Sequence, residues 1–272
     1  MPTLFEQAAA IVSQADAILI AAGAGMGVDS GLPDFRSKDG FWGAYPQAKQ
    51  LKFDFEALAN GAVFPYRARQ LWWFYGHRLA LYRDTLPHKG FQILKQWAAR
   101  MGDNYFIYTS NVDGQFQKAG FAPSRTYECH GSIHHLQCAS ECQSDIWPAG
   151  ELNFTRRKEQ MAVDGDIPYC PSCCGPARPN ILMFDDPYWV EDRSEEQQER
   201  FEVWLAKAQQ KSLVVIEIGA GNAVPTVRRL SDSLTNAKLI RINPKDTDVP
   251  PHGLALKSGA LEALININEI IE

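Results

Sequence analysis

No apolar run in this 272-residue sequence approaches the ~18–20 residues of a membrane-spanning helix, so a helical membrane protein is not expected. The opening stretch, MPTLFEQAAAIVSQADAILI, lacks the basic segment of a secretory leader and carries Glu6 and Asp16. A soluble, cytoplasmic chain is therefore expected. Excess positive charge is also missing: 27 Lys and Arg stand against 32 Asp and Glu, for a net charge of −5. A general grip on nucleic-acid phosphates needs a basic face, so nucleic acid is not an expected partner. There is no internal repeat and no low-complexity tract. Cysteine is absent from most of the chain, and all six lie between 129 and 174. A disulfide framework would be spread through a small exported chain, so this clustering favours metal binding.

What is present is an ordinary globular composition, 45% hydrophobic and 22% charged. Five short apolar runs end in Gly, Asn, Asp or Pro: 16–23, 105–111, 180–186, 212–221 and 237–243. Runs without alternation predict parallel strands covered on both faces. Helical patterns lie between them. Residues 194–210 open with Ser194 and Gln197, a capping-box spacing, and place Phe201, Trp204, Leu205 and Ala208 on one face. Residues 258–272 read as a closing helix. The expected fold is α/β, a Rossmann-like doubly wound parallel sheet. Two stretches break the alternation, 38–85 and 131–179. They predict a smaller helical and metal-binding lobe beside a large lobe of about 1–37, 86–130 and 180–272, all within one domain.

After the first strand comes AAGAGMGVDSGLPDFR (21–36). Gly23, Gly25 and Gly27 let a backbone approach a bound group, and a following helix N-terminus favours a pyrophosphate. The spacing is GxGxG rather than GxGxxG, and no clear acidic residue follows about 20 residues on. A tight structural turn fits equally well. In a dinucleotide site Phe35 would shield a reactive sugar carbon from water and Arg36 would meet phosphate. A buried Phe and a surface Arg fit the tetrapeptide too. YTSNVDGQFQKAG (108–120) places Ser110, Asn111 and Asp113 where a strand gives out, at the edge where α/β proteins bind ligands.

Cys138-x3-Cys142 and Cys170-x2-Cys173 are two close pairs, the spacing of a tetrahedral Zn²⁺ site. Four thiolates leave no open position, so the metal would be structural. Cys174 is an alternative to Cys173, whereas Cys129 reads as a small buried residue. In ECHGSIHHLQC (128–138), His130 precedes a glycine and suits a general base. His134 and His135 remain candidates for metal ligands or surface residues.

Taken in order, GAGMGVDSGLPDFR, TSNVDGQFQKAG, CHG, the two cysteine pairs, RPNILMF, IGAG and INP resemble the sirtuin family of NAD-dependent protein-lysine deacylases, in its bacterial type. The likeness runs from about residue 16 to about 265. It implies a large Rossmann-like lobe and a small zinc lobe, with NAD and an acyl-lysine protein substrate meeting between them. It implies that Gly23, Ala24, Gly25, Asp34, Phe35, Arg36 and Ser110 contact NAD. Asn111 and Asp113 would line the ribose and nicotinamide pocket, and His130 would be the base. Gly219, Ala220, Gly221 and Asn243 would hold the other end of the dinucleotide. Cys138, Cys142, Cys170 and Cys173 would bind one structural zinc. The products would be nicotinamide, O-acyl-ADP-ribose and free lysine. ADP-ribosyl transfer to protein and a weakly catalytic NAD or ADP-ribose sensor are the alternatives.

Residues 65–83 read as a helix after Pro65, with Tyr75 and Arg78 three apart on one face. They match a Tyr-x-x-Arg found in sirtuins that prefer succinyl, malonyl or glutaryl lysine, where it grips the acyl carboxylate. Four positions depart from the family pattern. Ser110 stands where Gln is usual and is too short to span the same gap, which bears on the catalytic rate. Gly27 stands for Ser, Gly219-Ala220-Gly221 for Gly-Thr-Ser, and Phe184-Asp185-Asp186 for Phe-Gly-Glu.

Overall fold

The computed structural model describes residues 2–33, 38–50, 55–102, 104–157 and 159–272. In chain order the strands are β1 (Ala17–Ala22), β2 (Tyr105–Thr109), β3 (Thr126–Glu128), β4 (Gly131–Cys138), β5 (Trp147–Pro148), β6 (Thr155–Arg157), β7 (Ala162–Asp164), β8 (Ala177–Ile181), β9 (Leu213–Ile218), β10 (Lys238–Ile242) and β11 (Gly253–Leu256). The helices are α1 (Leu4–Ser13), α2 (Lys38–Ala44), α3 (Pro46–Gln50), α4 (Phe55–Leu58), α5 (Phe64–Asp84), α6 (Lys89–Arg100), α7 (Gln115–Lys118), α8 (Asp192–Ala208), α9 (Thr226–Ser233) and α10 (Ala260–Ile271). No helix among the described residues is long and apolar enough to cross a membrane.

Six strands form one sheet in the order β11-β10-β9-β1-β2-β3, parallel throughout. Its central strands are buried at every position, because alternate side chains serve two different cores. Ile18, Ile20 and Ala22 point to the side where α1, α6 and α10 supply Val12, Trp97 and Ile267. Ala17, Leu19 and Ala21 point to the other side, against Phe201 of α8 and Val227 of α9. The chain lays β1 to β3 in one direction and β9 to β11 in the other. The order therefore reverses between β1 and β9, and such a reversal opens a crevice at the strands' carboxyl ends.

A further core lies around α5, whose Trp72, Trp73, Phe74 and Tyr75 are all buried. A run with apolar groups in every direction needs partners on every side. Phe154 stacks on Trp72 at 5.0 Å between centroids, and the indole N–H of Trp72 donates to the Ala177 carbonyl at 2.9 Å. Arg156 covers Trp73, with its guanidinium carbon 4.5 Å from the ring centroid. These contacts join α5 to the antiparallel sheet β5-β4-β8 and to the β6–β7 hairpin.

Two expectations need correction. The segment 180–186 is not a strand of the parallel sheet: β8 ends at Ile181 and pairs antiparallel with β4. Arg178 explains the early end. Its guanidinium pairs with both carboxylate oxygens of Asp186 at 2.6 and 2.5 Å, with the two side chains 0% and 1% exposed. Asp186 also accepts from the Met183 amide, so residues 182–186 fold back instead of extending. Ser194 is not a cap, because α8 begins at Asp192, and the Ser194 hydroxyl donates to the Glu128 carbonyl. The edge strands β3 and β11 went unforeseen. They are three and four residues long, too short to show a period.

Candidate active-site cleft and cysteine cluster

The turn after β1 meets the turn after β9. A β-carbon on Gly23 would lie 2.6 Å from the Gly219 carbonyl oxygen, and one on Gly25 would lie 2.6 Å from the Gly219 α-carbon. Gly219 itself has a φ of +61°, a left-handed conformation that favours glycine. The glycines expected to admit a ligand are thus first required by each other. They bring two backbone turns together at the point where strand order reverses.

β2 supplies the adjoining wall. Thr109 Oγ1 donates to the Ala22 carbonyl at 3.0 Å, and the Ser110 amide donates to the same oxygen at 3.1 Å. The Asn111 side chain donates to the Gly23 carbonyl at 2.9 Å, which fixes the β1 turn from the side. Asp113 is 8% exposed and accepts from the Gln115 amide at 2.9 Å. Burial pushes its carboxyl up to about 6; the charge of Glu128 adds to the rise, while the Gln115 amide and Arg78 oppose it. His134 Nε2 lies 2.9 Å from the Asp113 carbonyl oxygen and braces the loop from behind. Burial holds that imidazole below its ordinary range even so.

Ser110, Asn111, Asp113, His130, Tyr75 and Arg78 all line one cavity of about 570 Å³. The His130 Nε2 lies 3.4 Å from the Thr226 hydroxyl at the start of α9. Arg78 donates twice to the Tyr82 hydroxyl, at 3.1 and 2.8 Å. Its guanidinium carbon sits 5.2–5.9 Å from the ring centroids of Phe74, Tyr82, Tyr75 and Phe55. The Tyr75 side chain is fully buried, and among the described residues its hydroxyl has no hydrogen-bond partner. Burial raises that phenol to about 12. Ala24 lines the same cavity, whereas Asn243 lies outside it and donates to the Ala220 carbonyl at 3.0 Å. Asp34, Phe35 and Arg36 fall outside the described residues. Tyr82 was missed in the sequence, although it stands four residues after Arg78 on the same helix face. Thr226 offered no signal, because only folding brings it to His130.

The thiols of Cys138, Cys142, Cys170 and Cys173 lie within 4.8 Å of one another. Cys138 and Cys173 are 3.7 Å apart at sulfur, and Cys142 and Cys170 are 3.5 Å apart. Four sulfurs at about 2.3 Å from one Zn²⁺ would be about 3.8 Å from each other, so the cluster fits a zinc ion. The Ser140 and Gly175 amides point at the Cys138 and Cys173 sulfurs, each at 3.4 Å, and would stabilise thiolate charge. Cys174 is exposed with a φ of +57° and is outside the cluster, as are Cys129, His134 and His135.

Residues 23–224 match the model of the Sir2 family. An "NAD-dependent protein deacylase" of Aquifex aeolicus is 26% identical over 234 residues, covering 85% of each chain. A "Probable bifunctional ADP-ribose hydrolase/ADP-ribosyltransferase" of Fusarium oxysporum f. sp. cubense is 27% identical over 230 residues, covering 80% of this chain but only 38% of that protein. A structure solved under the heading "Structural Basis for the Mechanism and Regulation of Sir2 Enzymes" covers 100% of this chain and 98% of its own, at 24% identity and a TM-score of 0.71. That likeness concerns the fold. The family match takes in both glycine turns, the cleft and the cysteine cluster: the chain belongs to the Sir2 family.

Proposed function

We propose that this chain is an NAD-dependent protein-lysine deacylase acting in the cytoplasm. It would form one catalytic domain with a large lobe of about 1–37, 86–130 and 180–272 and a small lobe of 38–85 and 131–179. The observation that carries the reading is convergence: Asn111, Asp113, His130 and Arg78 line a single cavity beside the paired glycine turns. NAD, when bound, supplies the ribose carbon and the nicotinamide leaving group. Gly23, Ala24, Gly25 and Ser110 would border one part of the dinucleotide, and Asp34, Phe35 and Arg36 are assigned to the same part by the family resemblance alone. Gly219, Ala220, Gly221 and Asn243 border the other. Asp113 accepts from the carboxamide N–H groups, and Asn111 orients the ribose from its anchor on Gly23. His130 takes the proton of a ribose hydroxyl in place of its contact with Thr226. The aromatic walls exclude water. Cys138, Cys142, Cys170 and Cys173 hold a structural zinc.

The acyl group is read by α5. A phenol raised to about 12 stays protonated and can donate, and Tyr75 has no competing partner among the described residues. Arg78 is oriented by Tyr82 and ringed by aromatic faces, where little water competes for a carboxylate. This supports a preference for succinyl, malonyl or glutaryl lysine over acetyl.

One assay tests the reading. The protein is incubated with NAD and acetyl-, succinyl- or malonyl-lysine peptides, and peptide and nicotinamide are followed by mass. Nicotinamide release that depends on the acyl group, lost in His130→Ala, is the expected result. ADP-ribose added to a protein would replace the reading with ADP-ribosyl transfer. Binding of NAD without turnover would leave a sensor.

A further inference from the structure

The turn that carries Asp113 has two sides. Asp113 lines the catalytic cavity, and the next residue, Gly114, lines a second cavity of about 640 Å³ that shares no lining residue with the first. The chain divides in the same way at β4. His130, just before it, lines the catalytic cavity, while Ser132, His134 and His135 line the second. His134 joins the two. Its Nε2 lies 2.9 Å from the Asp113 carbonyl oxygen, and a β-carbon on Gly114 would lie 2.7 Å from its ring. The imidazole therefore fills the space behind the Asp113–Gly114 turn.

The second cavity gathers donors and few acceptors. α8 contributes Arg193 and Arg200, and the loop before β3 contributes Ser124. Arg193 donates from Nη2 to the buried Glu128 carboxylate at 2.5 Å, but its Nη1, also buried, has no partner among the described residues. Neither has His135 Nδ1. Burial, with the charges of Arg193 and then of His134 beside it, lowers that imidazole to about 4. Of the lining residues only Glu196 is an acid. It lies 4.0 Å from Arg200 and both are exposed, so the pair holds little free energy. A buried guanidinium N–H without an acceptor carries a cost that a ligand oxygen would relieve. Two guanidinium groups beside the Ser124 and Ser132 hydroxyls suit an oxyanion.

We propose that this cavity binds a small oxyanion, phosphate or carboxylate, between Arg193, Arg200 and His135, and that the bound anion acts on the Asp113 turn through His134. The site itself goes beyond the deacylase reading, and only its coupling to NAD rests on that reading. An anion in the cavity would hold His134, and with it the turn, in one position. NAD would then meet a turn already ordered and bind more tightly. By linkage, NAD would tighten the anion by the same factor.

Calorimetric titration of the full chain with inorganic phosphate and, separately, with succinate at fixed ionic strength tests the site and distinguishes the two kinds of anion. One site per chain is expected. It should weaken at least ~10-fold in Arg200→Gln, which removes a charged donor, and in Ser124→Glu, which sets a like charge in the cavity. Both positions are exposed, so Tm should hold, and Arg78→Met, altered in the catalytic cavity, should keep the binding. With the better anion at saturation, affinity for NAD should rise at least ~5-fold in the wild type and not in Ser124→Glu. No uptake by the wild type, or uptake that both variants leave intact, overturns the site. Weaker NAD binding that persists in Ser124→Glu places the anion in the catalytic cavity and overturns it too. Unchanged NAD affinity overturns the coupling. A chain that takes up the anion through Arg200 but binds no NAD overturns the dinucleotide reading, and the coupling with it, while the site stands.

Discussion

Asp113 carries a free-energy cost that ligand binding would use. Its folded-state value near 6 lies above the ~3.9 of an unfolded Asp, so the folded chain holds the extra proton between those limits. The stability contributed by this group is present below about pH 4 and is lost as the pH rises through 6. Asp113→Asn should therefore stabilise the protein by on the order of 2 kcal/mol at pH 8, with the gain gone at pH 4. Urea unfolding at the two pH values measures it, and an equal effect at both would refute the burial argument. The same variant should lose deacylation, since a neutral amide presents an N–H where an acceptor is needed. Arg78 makes a second prediction at this scale. Arg78→Met should reduce desuccinylation at least 100-fold while deacetylation holds or rises, as expected for loss of a bidentate carboxylate contact. Equal loss on both peptides, measured as kcat/KM, would make Arg78 a scaffold residue.

At the scale of elements, the turn beyond β8 depends on the Arg178–Asp186 pair. Both side chains are sealed from water, and removing one leaves the other charged and unpaired. Asp186→Ala should cost about 3–5 kcal/mol in denaturant unfolding, whereas Arg178→Met with Asp186→Leu should recover most of it. No recovery in the double variant would mean that the pair holds the turn's geometry and not only its own charges. The helix α5 shows a related dependence. Its buried Trp-Trp-Phe-Tyr run is a strong signal in the sequence, but a run of that kind does not name its partners. Phe154, Arg156 and the Ala177 carbonyl, which surround it, lie about 80 to 105 residues further on.

Across the whole molecule, the cysteine cluster lies where the end of β4 meets the approach to β8, and β8 is bonded to α5 through Trp72. Zinc should therefore brace the wall that carries Tyr75 and Arg78. Metal analysis should find about one zinc per chain. Chelation should lower Tm by more than ~5 °C and change the tryptophan emission, with Trp72 and Trp73 in the affected core. Zinc loss without either change would separate the cluster from α5. The parallel sheet has its own two cores and should keep much of its helix signal after chelation.

The sequence by itself determined the parts with local signatures. Strands covered on both faces read as unbroken apolar runs, and four of the five predicted runs are central parallel strands. Paired cysteines at short spacing name their own chemistry, and Asn111 and Asp113 stand out because polar residues follow a buried strand. Tertiary structure decided what depends on partners distant in the chain. It decided that Gly23 and Gly25 face Gly219, that Tyr82 orients Arg78, that 180–186 leaves the parallel sheet, and that His134 and Arg193 line one cavity. Hydrophobic periodicity records whether a residue is covered, not which residue covers it. A hydrogen bond or ion pair across the chain leaves no mark on the pattern of its neighbours.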